Sequence, residues 1–208
     1  MNKISFSQLE SARKNPAALA KSLLTPSDSN PRFSKFMAWQ LAVHRYHKEK
    51  GDLSKAVNYF ETTFMRNFAD NSKNNAERED WILDLQAYSS DDIKRKLTYV
   101  EHKKRISIPL TSKVRLGGEL PLIKMNNKGG YSIYFFSRDS TLWEEELRFP
   151  VIQNYISSTL YEVDLSDVEV GVYCLDLKRH LQRSYTQREI DDAEKELKAI
   201  GKAVSLAL

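Results

Sequence analysis

The fold is decided by two apolar stretches in the second half of the chain, VRLGGELPLIKM at residues 114–125 and YSIYFFS at residues 131–137. Each stretch has the length and the apolar content of a buried strand. The residues NKGG at 127–130 lie between them and predict a hairpin turn, because glycine accepts the positive φ that such turns need. The sequence therefore predicts two neighbouring strands.

The segments on either side extend this sheet. Residues 105–110 alternate, with Ile106 and Ile108 on one face, and predict a preceding strand, while residues 168–175 predict a fourth. A helix is predicted over residues 141–161, where Pro150 is expected to kink it or to mark its real start. Apolar residues spaced by three and four predict a last helix over residues 186–206.

The first half of the chain is typical of helices. They are predicted over residues 7–14, 17–24, 34–50 and 53–68, with one or two more over residues 76–97 and a loop over residues 25–31. Ser7 and Glu10 are expected to form a capping box at the first helix, and Ser89 or Ser90 to cap the later one. We therefore predict a single α/β domain over residues 1–208. Its helical part, residues 1–99, leads into residues 100–208, a small mixed sheet flanked by helices.

Composition excludes several classes of protein. The chain has 208 residues, a formal charge of +4 and a single cysteine, Cys174, so neither an internal disulfide nor an all-cysteine metal site can form. The N-terminus has no apolar run typical of a signal peptide, and no stretch is apolar for long enough to span a membrane. We expect a cytoplasmic protein without membrane contact.

Several short passages share a family resemblance. They are ISFSQL at 4–9, AVH at 42–44, LGGELPLI at 116–123, GYSIYFFS at 130–137, ELRFP at 146–150 followed by Gln153 and Tyr155, and VGVY at 170–173. Their order, along with the order of helix, three strands, helix and strand, resembles the PD-(D/E)XK nucleases. The similarity is to the RecB-type branch, meaning the RecB and AddB exonuclease domains and their CRISPR-associated relatives.

The resemblance also implies where a metal site would lie. In that family two carboxylates on neighbouring strands hold a divalent cation, and a lysine helps to position the attacking water. The resemblance places Pro121 and Phe135 at the carboxylate positions and Ser137 at the lysine position. These side chains cannot neutralise a divalent cation, so we expect a degenerate site without catalytic residues, metal or other cofactor. Four residues are possible remnants of the family site: His44, Glu119, Gln153 and Tyr155.

An active nuclease is an alternative interpretation. Glu119 lies two residues before Pro121, so on a strand both side chains point to the same face. Glu119 would then supply one ligand to Mg²⁺ or Mn²⁺, with His44 and Gln153 as partners. The simpler interpretation is that Glu119 is a solvated strand residue and His44 a hydrogen-bonded structural one.

Basic residues cluster around the start of the predicted sheet. The candidates for nucleic-acid contact are Lys94, Arg95, Lys96, Lys103, Lys104 and Arg105, with Lys113 and Arg115 further along. Such a cluster binds phosphates by charge alone, although a solvated helix end and a lysine-protected edge strand give the same pattern.

The function that we expect from these observations is binding. A catalytically inactive nuclease-fold subunit would bind a protein partner, and DNA through its basic patch, in a DNA-processing or antiphage defence complex. The alternatives are the metal-dependent nuclease built on Glu119 and a protein-only interaction or immunity factor.

Overall fold

The helical half of the chain precedes the sheet, as predicted. The computed structural model describes residues 1–25, 32–140 and 142–208. A short strand, β1 (Asn2–Ser5), comes first. The helices that follow are α1 (Phe6–Lys14), α2 (Pro16–Leu24), α3 (Lys35–Lys48), α4 (Leu53–Asn67) and α5 (Ser72–Arg95).

The second half supplies the remaining strands and the closing helices. Its elements are β2 (Thr98–Pro109), β3 (Val114–Met125), β4 (Tyr131–Ser137), α6 (Arg148–Tyr155), β5 (Val168–Cys174), β6 (Arg179–Arg183) and α7 (Gln187–Ala207). Single 3₁₀ turns lie at Trp143–Glu145 and Leu165–Asp167, and a π-helical turn continues α6 over Ile156–Leu160. The predicted α/β class, with a mixed sheet flanked by helices, is confirmed.

The sheet has six strands within the described residues, and β3 pairs with three of the others. The path is β1-β3-β4-β5-β6, and β2 pairs with the other edge of β3. Strand β3 is parallel to β1 over residues 114–117 and antiparallel to β4 over residues 122–125. Residues 118–121 of β3 therefore face a gap between β1 and β4.

Helices cover both faces of this sheet and create two cores. The first core packs α1, α2, α6 and α7 on one face, through side chains such as Phe6, Ile133 and Phe135. The second core packs α3, α4 and α5 on the other face, and includes Trp39 and Tyr134. Because side chains alternate along a strand, neighbouring residues of β4 belong to different cores.

Three strand segments were missing from the sequence prediction. Strand β1 has only four residues, too few to show a period. Strand β6 reads RHLQR, which is polar because it closes one end of the sheet. Strand β2 begins at Thr98 rather than at residue 105, and its first half hides the alternation because the pairing shifts between Tyr99 and Glu101.

The helix starts also differ in detail from the prediction. The capping box of α1 uses Ser5 and Gln8, not Ser7 and Glu10. Glu10 instead accepts a hydrogen bond from the backbone N–H of Leu147 at 2.7 Å. Helix α6 begins at Arg148, so Pro150 lies in its first turn, where proline is tolerated. Thr141 and residues 26–31 of the loop predicted for residues 25–31 lie outside the described residues.

Helix α5 runs unbroken through Ser89 and Ser90, so neither serine caps a second helix. Its buried side chains Trp81, Leu85, Tyr88 and Asp92 follow a spacing of four and three, and form one continuous stripe. Lys96, the residue that follows the end of the helix, has the left-handed conformation with φ 54°. An L side chain is strained in this conformation, whereas glycine is not.

We predict that Lys96→Gly raises the free energy of unfolding by roughly 1 kcal/mol, because glycine adopts the left-handed conformation without strain. The matched variant Lys94→Gly removes the same side chain from the last helical turn, and should lower the free energy of unfolding by up to about 1 kcal/mol. Urea unfolding followed by circular dichroism measures both. A loss of stability in Lys96→Gly equal to that in Lys94→Gly would contradict the prediction.

Candidate functional site

None of the three positions that the resemblance aligns with the family's metal site has an acidic side chain. One of the three, Phe135, is packed among other side chains. Phe135 is 7% exposed, and its ring meets Phe6 and Phe149 edge-on at 6.0 and 5.6 Å. The guanidinium of Arg148 lies 4.8 Å from the centre of the same ring. The Phe135 side chain therefore belongs to the first core.

Pro121 and Ser137 have other local roles. Pro121 lies between the paired stretches of β3 and has no partner in the ladder with either β2 or β4. A residue without a backbone N–H is tolerated there, since no ladder bond is lost. The Ser137 hydroxyl donates to the backbone oxygen of Asp139 at 2.9 Å.

His44 lies on the opposite face of the sheet from Phe135. Its ring stacks on His102 at 4.9 Å and meets Phe136 edge-on at 5.8 Å. On β3 and β4, the residues that pack in the second core, on the same face of the sheet as His44, are Leu122, Tyr134 and Phe136. The side chains on the same face as His44 thus lie one position along each strand from Pro121 and Phe135, the residues that the sequence aligns with the metal site. None of them has a carboxylate.

The other possible remnants lie apart from His44. Gln153 is fully buried, and its amide is bonded to the backbone of Leu165 and Tyr185. Tyr155 packs at the edge of the first core. Glu119 is exposed and lies 3.5 Å from Arg105. Within residues 1–25, 32–140 and 142–208, no three His, Cys, Asp or Glu side chains come close enough together to hold a metal ion.

All four histidines of the chain pack in or beside the second core. The His47 ring bonds the Tyr88 hydroxyl at 2.5 Å, and His180 bonds Asp91 at 2.8 Å. Burial lowers the pKa of His47 and of His180. The pKa of His44 falls to about 3, mainly by burial and further through His102 and Lys103. Burial therefore favours the neutral form of these three rings near pH 7.

An ion pair is buried at the edge of this histidine cluster. The ammonium of Lys124 on β3 bonds the Asp92 carboxylate on α5, and these side chains are 1% and 9% exposed. Burial lowers the pKa of Lys124, and the attraction of Asp92 opposes this shift. Sequence reasoning missed this pair, because Lys124 follows an apolar strand pattern and nothing in that pattern identifies its partner.

The predicted basic patch separates into groups with different roles. Arg95 turns inward, where its guanidinium donates to the Tyr134 hydroxyl at 2.7 Å, and Lys104 pairs with Glu101 at 3.1 Å. The side chains of Lys94, Lys96 and Lys103 are exposed. Arg105 is 87% exposed at its side chain. Of the six candidates for nucleic-acid contact, Arg95 and Lys104 are therefore engaged by partly buried groups, and Arg105 has only the exposed contact with Glu119.

Arg105 lies on an exposed basic surface that also includes residues outside those six. Lys3 of β1 pairs in register with Arg115 of β3, and Arg105 of β2 pairs with Glu119. Together they border a concavity of about 340 Å³ whose floor includes Gly117 and Ser107. A Cβ on Gly117 would lie 3.1 Å from the Lys3 side chain, so glycine keeps this surface flat. We call Lys3, Arg105 and Arg115 the basic sheet face.

We predict that acid destabilises the fold through His44. Its pKa is about 3 in the folded state and about 6.5 when unfolded, so the unfolded chain binds more protons as the pH falls between these values. Neutral His44 makes nearly its full contribution to the free energy of unfolding at neutral pH. This contribution should fall by about 2 kcal/mol between about pH 7 and about pH 5.

Unfolding of His44→Phe, followed over the same pH range, measures this contribution, because phenylalanine fills the site without titrating. The variant should lose stability less steeply than the unaltered protein. Parallel pH profiles for the two proteins would show that His44 does not cause the loss.

Comparison with known proteins leaves the family open. No protein family and no curated protein matches the chain. A solved structure titled "Crystal structure of SSO0001" is 14% identical, with 90% of this chain and 84% of that chain covered and a TM-score of 0.30. That likeness is too low to carry an argument about function. None of the helices described is long and apolar enough to cross a membrane.

Proposed function

We propose that this chain is a catalytically inactive subunit of nuclease-like fold that binds nucleic acid. We place it in a DNA-processing or antiphage defence complex with a protein partner. The observation that carries the proposal is the basic sheet face. It presents three cations around a floor that includes Gly117 and the small side chain of Ser107, which together allow a phosphate backbone to approach closely.

The spacing of these cations suits a nucleic-acid backbone. Lys3 lies opposite Arg115, while Arg105 lies opposite Glu119, four residues further along β3. Four residues of strand span about 13 Å, which is about four base-pair rises of B-DNA at 3.4 Å each. The two ends of the basic sheet face can therefore contact phosphates that are several nucleotides apart.

Glu119 does not cancel this charge. It lies 3.5 Å from Arg105, but the Arg105 side chain is 87% exposed and that of Glu119 48% exposed. Exposed pairs of this kind contribute about 0–1 kcal/mol, so an incoming phosphate can displace the carboxylate from the guanidinium. The same contact explains Glu119 without a metal ion.

Binding without cleavage is supported by the side chains at the family's metal position. The sequence alignment places Pro121 and Phe135 at the carboxylate positions, while the strand residues on the same face as His44 include Leu122 and Tyr134. None of these four residues has a carboxylate. The ring of Phe135 packs in the first core and the ring of Tyr134 in the second. The protein partner follows from the resemblance alone, and we assign no surface to it.

We predict that the double variant Arg105→Gln/Arg115→Gln binds duplex DNA about tenfold more weakly or worse, because two phosphate contacts are lost. The slope of the logarithm of the binding constant against the logarithm of salt concentration should also fall by about two. Fluorescence anisotropy between about 50 mM and about 200 mM salt measures both quantities.

The matched control is Lys128→Gln/Lys202→Gln, which removes two exposed positive charges from the hairpin turn and from α7. It should leave affinity and salt slope near those of the unaltered protein. Equal losses in both double variants would show that net charge, not the basic sheet face, binds DNA. If the unaltered protein fails to bind even at the lowest salt, the protein-only alternative replaces this proposal.

A further inference from the structure

A second concavity lies away from the basic sheet face, at the start of β2. It has a volume of about 670 Å³ and lies between the end of α3, the end of α5 and the first residues of β2. Ligand sites in proteins commonly have volumes of about 300 to 1,000 Å³. We call this concavity the β2 cavity.

The rim of the β2 cavity is cationic. Lys48 and Lys50 come from the end of α3 and the turn after it, and Lys96 from the end of α5. The neighbouring acid Glu49 is engaged by Arg45 and Lys55. None of the three rim lysines has an ion-pair partner in the part of the chain that the structure describes. The rim therefore offers uncompensated positive charge to an anion.

Two of these lysines have an unusual backbone. Lys50 has φ 57° and Lys96 has φ 54°, so both are in the left-handed region that favours glycine. Strained residues of this kind are concentrated at binding sites, where the side chain is needed despite the strain. The chain has lysine rather than glycine at both positions, which keeps two ammonium groups at the rim; Lys103 and Lys178, which do not line the cavity, have the same conformation.

The walls of the β2 cavity are aromatic and apolar. Tyr99 is held rigidly, because its ring stacks on His47 at 5.6 Å and 10° and its hydroxyl bonds His102. Leu97 lines the same cavity, as does Ile93, which is 66% exposed. Such walls suit a planar ring, which gains contact area that an inorganic anion cannot provide.

The floor of the β2 cavity is polar, and its polar side chains already bond one another or neighbouring residues. It contains the buried Lys124 and Asp92 pair and the His47 ring bonded to Tyr88. A planar ligand with hydrogen-bonding edges fits a polar floor better than a purely apolar ligand does.

We propose that the β2 cavity binds a nucleotide, with its base against Tyr99 and Leu97 and its phosphate on the three rim lysines. The nucleotide is either a free mononucleotide or the phosphorylated end of a nucleic-acid strand. The strand-end form rests on the proposed function, since it needs a strand held elsewhere on the protein. The free form does not.

The first experiment measures the binding of adenosine monophosphate and of inorganic phosphate by isothermal titration calorimetry. The nucleotide should bind about tenfold more tightly than phosphate or better, because only the nucleotide uses the walls. Tyr99→Leu should weaken nucleotide binding and leave phosphate binding unchanged. Lys50→Gly/Lys96→Gly should weaken both by about tenfold or more without loss of thermal stability, because glycine suits both backbones.

The second experiment compares two oligonucleotides of one sequence, with and without a 5′-phosphate. A preference for the phosphorylated end that disappears in Lys50→Gly/Lys96→Gly identifies the strand end as the ligand. Tight mononucleotide binding without such a preference identifies the free nucleotide. Lys128→Gln/Lys202→Gln is the charge control in both experiments.

The inference is overturned if neither the mononucleotide nor the phosphorylated end depends on Lys50 and Lys96. This failure is distinguishable from a failure of the proposed function, which depends on Arg105 and Arg115. If Arg105→Gln/Arg115→Gln loses duplex binding and still binds the mononucleotide as the unaltered protein does, the two surfaces act independently.

Discussion

An aromatic layer packs the helical half against the sheet. Trp39 of α3 is fully buried, stacks on Tyr173 of β5 at 5.8 Å and meets Phe136 of β4 edge-on at 5.5 Å. Tyr88 of α5 joins the same group, at 5.8 Å from Trp39. These rings connect α3 and α5 to two central strands. Since protein interiors are packed almost without voids, these rings fill the space between the helices and the sheet.

The aromatic layer also determines which side chains of β4 face each core. The layer requires Tyr134 and Phe136 to face the helices, and the alternation of β4 then sends Phe135 into the first core. The two surfaces proposed to bind ligands consequently lie away from the centre of the fold, near the two ends of β2. The β2 cavity lies at its start, and the basic sheet face lies beside its second half.

Much of the architecture follows from local sequence patterns. The strands at residues 114–125 and 131–137 and the long helices have apolar periods that survive in the folded chain. The first half of β2 was not predictable in this way, because Lys103 has a left-handed backbone and the register shifts at Tyr99 and Glu101. A four-residue strand and a polar edge strand give equally weak patterns.

The candidate sites were less predictable, since they depend on contacts between distant segments. Lys50 and Lys96 are separated by the whole of α4 and α5 and meet only at the β2 cavity. Conversely, Arg95 and Lys104 belong to basic runs in the sequence but bond Tyr134 and Glu101 in the structure. Spacing along the chain cannot show such pairings. The nuclease resemblance and the binding role stay predictions.

We propose that this fold binds nucleic acid and does not cleave it. The most direct test incubates linear duplex and single-stranded DNA with Mg²⁺ or Mn²⁺ at protein concentrations that saturate binding, and then measures product on denaturing gels. We predict salt-sensitive binding and no product with either metal. Cleavage by the unaltered protein that disappears in Glu119→Ala would contradict the claim.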